Sequence, residues 1–242
     1  MVRLRMLGFR SLDTVYITSS APDIITPGLL CREFMSEMGD PSLRVVLFNE
    51  TSFQVFALRE LYPHPHLYRR VPGSTVLKHA EAFSSRCSPV ATAAWASQPD
   101  AVASAASSGS VTKLYGALME AVRVPKPAAD NIYPLRYACG VLFADGEWTS
   151  ACEDRMLEYG CTLDACLKLA YAIERHPARP LLLMQVDTFG VLHAPFAAAR
   201  AYLIENDHDE AVVAVHTLEH KVELVTVADL TPEVPKLGAL YK

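Results

Sequence analysis

Residues 26–32 read TPGLLCR and residues 194–200 read APFAAAR, two stretches in which a proline opens a helix and an arginine stands five positions after it. Proline is well placed at a helix start, because its missing N–H would have no partner inside the helix anyway. Working outward, residues 13–63 align with residues 181–232. Pro27 meets Pro195, Arg32 meets Arg200 and Glu37 meets Glu205; after a one-residue shift, Leu61 and Pro63 meet Leu230 and Pro232. Each copy begins with an apolar run, TVYIT or LLLMQV. After the helix come two more, LRVVLF and FQVFAL in the first copy, AVVAVH and VELVTV in the second. So few residues separate the members of each pair that a crossover helix cannot fit, so each pair forms an antiparallel hairpin. The unit is strand, helix, strand, strand, present twice. Within the helices, Leu30, Phe34 and Met38, and Ala198, Tyr202 and Leu203, are expected on the buried face.

The copies differ in what precedes them. Ahead of the second lie a helix at 111–122 (VTKLYGALMEAV), a strand (RYACGVLFA), an Asp145-Gly146 turn, a short strand and a longer helix (TLDACLKLAYAIERH). Ahead of the first lie only a dozen residues. Residues 1–70 therefore read as the second half of a domain and 111–242 as a complete one, with 71–110 a linker. Residues 96–110 (ASQPDAVASAASSGS) carry the linker reading, since Ala and Ser offer little to bury. Alanine also favours a helix, the competing reading of that stretch.

With 242 residues, 51% of them hydrophobic, the chain fills one large core or two smaller ones. A net charge of -5 without a Lys/Arg-rich run argues against a protein that works by neutralising phosphates, so nucleic acid is not an expected partner. No apolar run reaches bilayer-spanning length, and no membrane is expected. The opening, with Arg3, Arg5 and Arg10 and no acid before Asp13, reads either as the tail of a helix or as an organellar targeting segment. An intracellular chain is expected, its compartment left open. The six cysteines lack a CxxC pair and the density of a disulfide scaffold, so reduced and mostly buried thiols are expected.

The order helix, hairpin, helix, strand, helix, strand, strand, with YGCTLDAC opening the second helix and HAPFAAAR the third, resembles the cytidine deaminase family. The resemblance covers the whole family domain over residues 111–235 and only its later half over residues 1–65. It implies an α/β fold, a three-layer α/β/α sheet, duplicated with an incomplete first copy. In the family, Y-G-L-T-x-C-A-E-R and P-C-x-x-C-R segments open adjacent helices and hold Zn²⁺ through three ligands, and a glutamate moves protons between metal-bound water and the pyrimidine. Carried over residue by residue, the first ligand falls on Asp164, the glutamate on Cys166, and the two remaining ligands on Phe196 and Ala199. In the first copy the corresponding cysteine positions are Gly28 and Cys31. The N-x-E segment that grips the ribose falls on Glu153 and Arg155, losing the family pairing.

Two hydrocarbon side chains cannot ligate zinc, and a missing general acid/base alone costs about 10² to 10⁴ in rate. No catalytic residue, no metal and no cofactor are expected, and Phe196 is expected to have turned the site into core. His79-Ala80-Glu81 spells another ligand-plus-glutamate motif, but without the flanking segments it reads as coincidence. Cys161, Cys166 and His193 with Asp164 form an alternative metal set, against the plainer reading of packing residues. LYPHPHLYRR (61–70) reads as an extended surface arm at a protein interface, and Asp207 to Glu210 as a solvated turn.

A three-stranded half-domain is not stable alone, so residues 13–65 must dock on the second domain, a second copy or another chain. The expected function is a catalytically inactive, deaminase-like subunit of a larger protein assembly, as a homo- or heterodimer or more. The alternative is a zinc-dependent cytidine or deoxycytidine deaminase whose site a partner chain completes.

Overall fold

The computed structural model of the chain describes residues 6–8, 11–20, 23–39, 42–69, 71–124, 133–155 and 162–234. Strands β1 (Thr14–Thr18), β2 (Arg44–Phe48) and β3 (Phe53–Ala57) form a sheet in that order, β1 parallel to β2 and β2 antiparallel to β3. Helix α1 (Leu29–Met38) crosses from β1 to β2, and a single turn, α2 (Leu58–Leu61), closes the copy. Three helices follow: α3 (Val76–Ser84), α4 (Asp100–Ser107) and α5 (Ser110–Arg123). The second sheet has the order β5 (Trp148–Cys152), β4 (Tyr137–Phe143), β6 (Pro180–Asp187), β8 (Val212–His216), β9 (Val222–Thr226), with the short β7 (Leu192–His193) on β6. Its helices are α6 (Ala170–Arg175), entered through a 3₁₀ turn at Leu167–Leu169, then α7 (Ala197–Glu205) and the turn α8 (Val227–Leu230).

The repeat extends to the register of the strands. Thr14 faces Arg44 across β1 and β2, and Arg44 faces Ala57 across β2 and β3. Their aligned counterparts, Leu182, Val212 and Thr226, face one another in the same way across β6, β8 and β9. Both copies pair their first two strands in parallel and their last two antiparallel.

Alternate residues of the second sheet enter opposite cores. Cys139, Val141, Phe143, Leu183, Val213 and Val215 share a core with Leu203 and Ile204 of α7, while Ala138, Leu142, Leu182, Met184, Val212 and Ala214 share another with α5. Helices thus lie on both faces, giving three α/β/α layers. Gly140 of β4 lets α5 approach closely: a Cβ there would sit 2.6 Å from Leu114 Cδ1. The first copy joins the same inner core through Leu29, Met35, Val45, Leu47, Leu58 and Tyr62, so residues 13–65 dock within the chain, α1 against α7.

The linker reading fails. Residues 100–107 are helical, and Trp95 and Val102 are buried in the core of the second sheet's outer face. The segment before them is strapped down as well: Ser88 N–H donates to His220 O (2.8 Å), and Ser88 O lies 3.0 Å from His216 Nε2. Helix α3 buries Val76, Ala80 and Phe83 against Tyr68, Leu135 and Tyr137. The apolar surface of β8 and β9 needs a cover, and residues 88–107 supply it.

The expected helix faces also shift. In α1 the buried residues are Leu29, Arg32, Met35 and Ser36, with Leu30 and Phe34 exposed; in α7 they are Ala197, Ala199, Arg200, Leu203 and Ile204. The cause is the two arginines, which are fully buried and hold both helices to the chain's L-x-P ends. Arg32 donates to Pro27 O (2.6 Å), Leu61 O (2.7 Å), Pro232 O (2.5 Å) and Glu233 O (3.2 Å). Arg200 donates to Pro195 O (2.7 Å), Leu230 O (3.2 Å), Pro63 O (2.7 Å) and His64 O (2.6 Å). Each guanidinium therefore binds its own copy at aligned positions and the other copy at aligned positions. His64 and Glu233, which align, both take positive φ, 46° and 57°. Among the described residues no helix is long and apolar enough to cross a membrane.

Candidate functional site

The positions singled out by the resemblance gather where α7 and the segment after Asp164 begin, facing α1. Phe196 is the N-cap residue of α7; its half-buried ring stacks on His66 (centroids 5.7 Å apart) and meets Tyr137 edge-on (5.3 Å). Ala199 and Cys166 are fully buried. The hydrogen bond with Cys139, and then burial, push the Cys166 thiol well above its ordinary pKa, so it stays a neutral packing group. Phe196 departs from the expectation of a sealed core, because it lines an open cleft of about 760 Å³ between α1 and the second sheet.

Asp164 is a structural cap. Its Oδ1 accepts from Cys166 N–H (2.8 Å) and Leu167 N–H (2.9 Å), tightening the start of the expected helix into a 3₁₀ turn. Its Oδ2 is buried with no hydrogen-bond partner among the described residues. Burial raises its pKa to about 6 against the opposing effect of the two backbone donors, and nearby Glu33 adds to the rise.

In the first copy, Gly28 is the N-cap of α1 and Cys31 is an exposed free thiol, so the thiols are less uniformly buried than expected. A residue that sequence reasoning missed lies between them and the second copy. Glu33 Oε1 accepts from Ala197 N–H (3.2 Å), at the start of α7, and from Tyr62 Oη (3.0 Å). A helix N-terminus favours a negative group, and here the other copy provides it. Glu33 aligns with Ala201, so the signal available in the sequence was a break in the repeat beside Arg32.

Of the stretch 61–70, the described residues 61–69 do not form a surface arm. The expected extended run is broken between the two prolines, where His64 takes a left-handed conformation (φ 46°), and the segment turns inward over aromatic side chains. His66 Nε2 lies 2.6 Å from Tyr137 Oη, and its ring stacks on His193 (5.2 Å) as well as on Phe196. Burial holds the His66 pKa well below the usual imidazole value. Tyr68 Oη donates to Asp187 Oδ2 (2.7 Å), which also lies 3.0 Å from His193 Nε2, while Asp187 Oδ1 accepts from Phe189 N–H and Val191 N–H.

Among the described residues, the members of the alternative metal set do not come together. His193 faces Asp187, Cys166 faces Cys139 and Asp164 caps its turn, while Cys161 lies outside the described residues. Among the described residues no three His, Cys, Asp or Glu side chains are placed to hold one ion. His79 meets Tyr68 edge-on from α3, at 5.6 Å between centroids, and Ala80 is core. Glu153 and Arg155 are spent on the fold: Arg155 Nη2 pairs with Glu153 Oε1 at 2.7 Å, which accepts from Tyr137 N–H at 2.9 Å, and the guanidinium also holds the Tyr133 and Leu135 carbonyls. Asp207 sits in a turn at φ 58°, and Glu210 pairs with Arg179 at the surface.

The donor chemistry does not fit a zinc ion. Of the three positions that the resemblance gives to ligands, Phe196 and Ala199 are hydrocarbon, and the Asp164 carboxylate already binds two backbone N–H groups through Oδ1. Structural zinc needs a full set of N, O or S donors.

No protein-family model matches the chain, and no curated protein matches it by sequence. Among solved structures, it is similar to the cytidine deaminase of Mycobacterium leprae, at 20% identity over 50% of this chain and 97% of that one, with a TM-score of 0.42. It is likewise similar to the cytidine deaminases of Mycobacterium tuberculosis (23% identity, 52% and 98% coverage, TM-score 0.42) and Burkholderia pseudomallei (18% identity, 51% and 98% coverage, TM-score 0.43).

Proposed function

We propose that the chain is a catalytically inactive, cytidine deaminase-like protein that serves as a structural or binding subunit of a larger protein assembly. The observation that carries this reading is the pair Phe196 and Ala199 at the ligand positions of α7, with Asp164 turned into a cap. Three further features support it. Cys166 stands buried where the family has its proton-shuttling glutamate, His66 is stacked against Phe196, and Glu33 takes the N-terminus of α7. Each puts a packing or bridging group where turnover would need a donor or an open position. What remains is a fold in which two copies brace one another through buried arginines.

The direct test is the ultraviolet absorbance change on incubating purified chain with cytidine and with deoxycytidine, zinc supplied. No conversion above the uncatalysed rate is expected. Conversion that scales with protein concentration would favour the rival reading of a deaminase, and conversion gained only on adding an isolated partner chain would favour a site completed in trans.

A further inference from the structure

The repeat permits a comparison that a single domain would not. The outer face of the second sheet is built from Met184, Val186, Ala214, His216, Val222 and Leu224, and it lies under α4, α5 and Trp95. The aligned residues of the first sheet are Tyr16, Thr18, Val46, Phe48, Phe53 and Val55, which share one face across β1, β2 and β3. Among the described residues, no helix covers them. Met184 is fully buried, whereas its counterpart Tyr16 is 68% exposed, Phe53 is 66% exposed and Val55 is 50% exposed. Tyr16 and Phe48 stack at 6.0 Å, and Phe48 meets Phe53 at 6.2 Å, so the face is a continuous aromatic patch. The edge is open in the same way. β6 pairs antiparallel with β4 on the side away from β8, but β1 has no described neighbour on the side away from β2.

We infer that this face and the free edge of β1 bind a partner polypeptide that supplies what α5 and β4 supply in the second copy: an amphipathic helix over Tyr16, Phe53 and Val55, and an antiparallel strand beside β1. The occupant follows from the fold's own precedent. α5 covers its sheet with Val111, Leu114, Leu118 and Val122, the spacing of one helix face, and β4 satisfies the β6 edge. A second copy of this chain is a poorer match. Edge pairing of two β1 strands would leave both aromatic faces wet, and the covering helices of the chain are already occupied by the second sheet. Strand addition plus a helix in a groove is an established way for one polypeptide to recognise another. The inference deepens the scaffold reading and depends on it only for the existence of a partner.

The test uses the full chain in its own cell, with photoreactive benzoylphenylalanine at position 53, and at position 171 as a control on the exposed face of α6. Crosslinked peptides are mapped by mass spectrometry. The expected result is a crosslink from position 53, absent from position 171, to an apolar helix face of a different protein. That protein should be recovered at least tenfold less with the Tyr16→Lys/Val55→Lys chain, whose purified form keeps the melting temperature of the parent. Crosslinks to another copy of this chain or to its own residues, no crosslink, or undiminished recovery would each overturn the inference. If the double variant does not fold, Val55→Lys alone with the same crosslink map decides. Such failure leaves the cytidine assay, and the scaffold reading it tests, standing on their own.

Discussion

At the scale of single residues, two buried groups set the chain's energetics. Arg200 is fully enclosed and satisfies four carbonyls, two from each copy. Removing one partner from a buried charged network leaves the others desolvated, at about 1–3 kcal/mol for each orphaned group. Arg200→Ala is therefore expected to lower stability by at least about 3 kcal/mol in urea unfolding. Arg200→Lys is expected to recover little, because an ammonium cannot fork to carbonyls on both sides. Asp164 behaves in the opposite sense. Its pKa is raised in the fold to about 6, so the native state binds a proton more tightly than the unfolded chain. The stability tied to that proton is present below about pH 4 and lost as pH rises through about 6. Asp164→Asn keeps an Oδ1 acceptor for the cap and never charges. It should be more stable than the parent at pH 8 by about 1–3 kcal/mol, the difference shrinking toward pH 4. A gap that is constant with pH would refute this assignment.

At the scale of elements, the strands were legible in the sequence and the tertiary partnerships were not. TVYIT, FQVFAL and VELVTV match their strands to within a residue, because alternation and turn residues act locally. The helix faces were misjudged because periodicity cannot anticipate an arginine drawn inward by carbonyls some 30 to 200 residues away. Glu33 and His66 were hidden for the same reason: each is defined by a long-range partner, Ala197 or Tyr137. Of the site itself, the sequence put Phe196, Ala199 and Cys166 at the positions the resemblance singles out, whereas the open cleft around Phe196 and the capping role of Asp164 were not legible. The stretch before α5 was misread because alanine and serine gave no sign that one tryptophan and one valine anchor it. Trp95 and Val102 belong to the second sheet's outer core. Trp95→Ala should cost about 3–5 kcal/mol, as for other buried aromatic truncations. A linker tryptophan would tolerate the change within about 0.5 kcal/mol. Equilibrium unfolding of the variant separates the two.

For the whole molecule, the two copies of the repeated unit form an unequal pair. One copy has helices on both faces of its sheet; the other shares its inner cover with its twin and, among the described residues, leaves its outer face and one strand edge uncovered. The two share one inner core and exchange arginine contacts at aligned positions. On the proposed reading, the positions that would surround a metal brace the fold beside an open cleft. Zinc stoichiometry of the purified, unchelated chain tests that most directly, since a full protein site holds the ion with about 10–16 kcal/mol. Metal analysis after dialysis against zinc-free buffer should find well under about 0.1 zinc per chain. Retention of about one zinc per chain, lost when Asp164 is replaced by Ala, would contradict it.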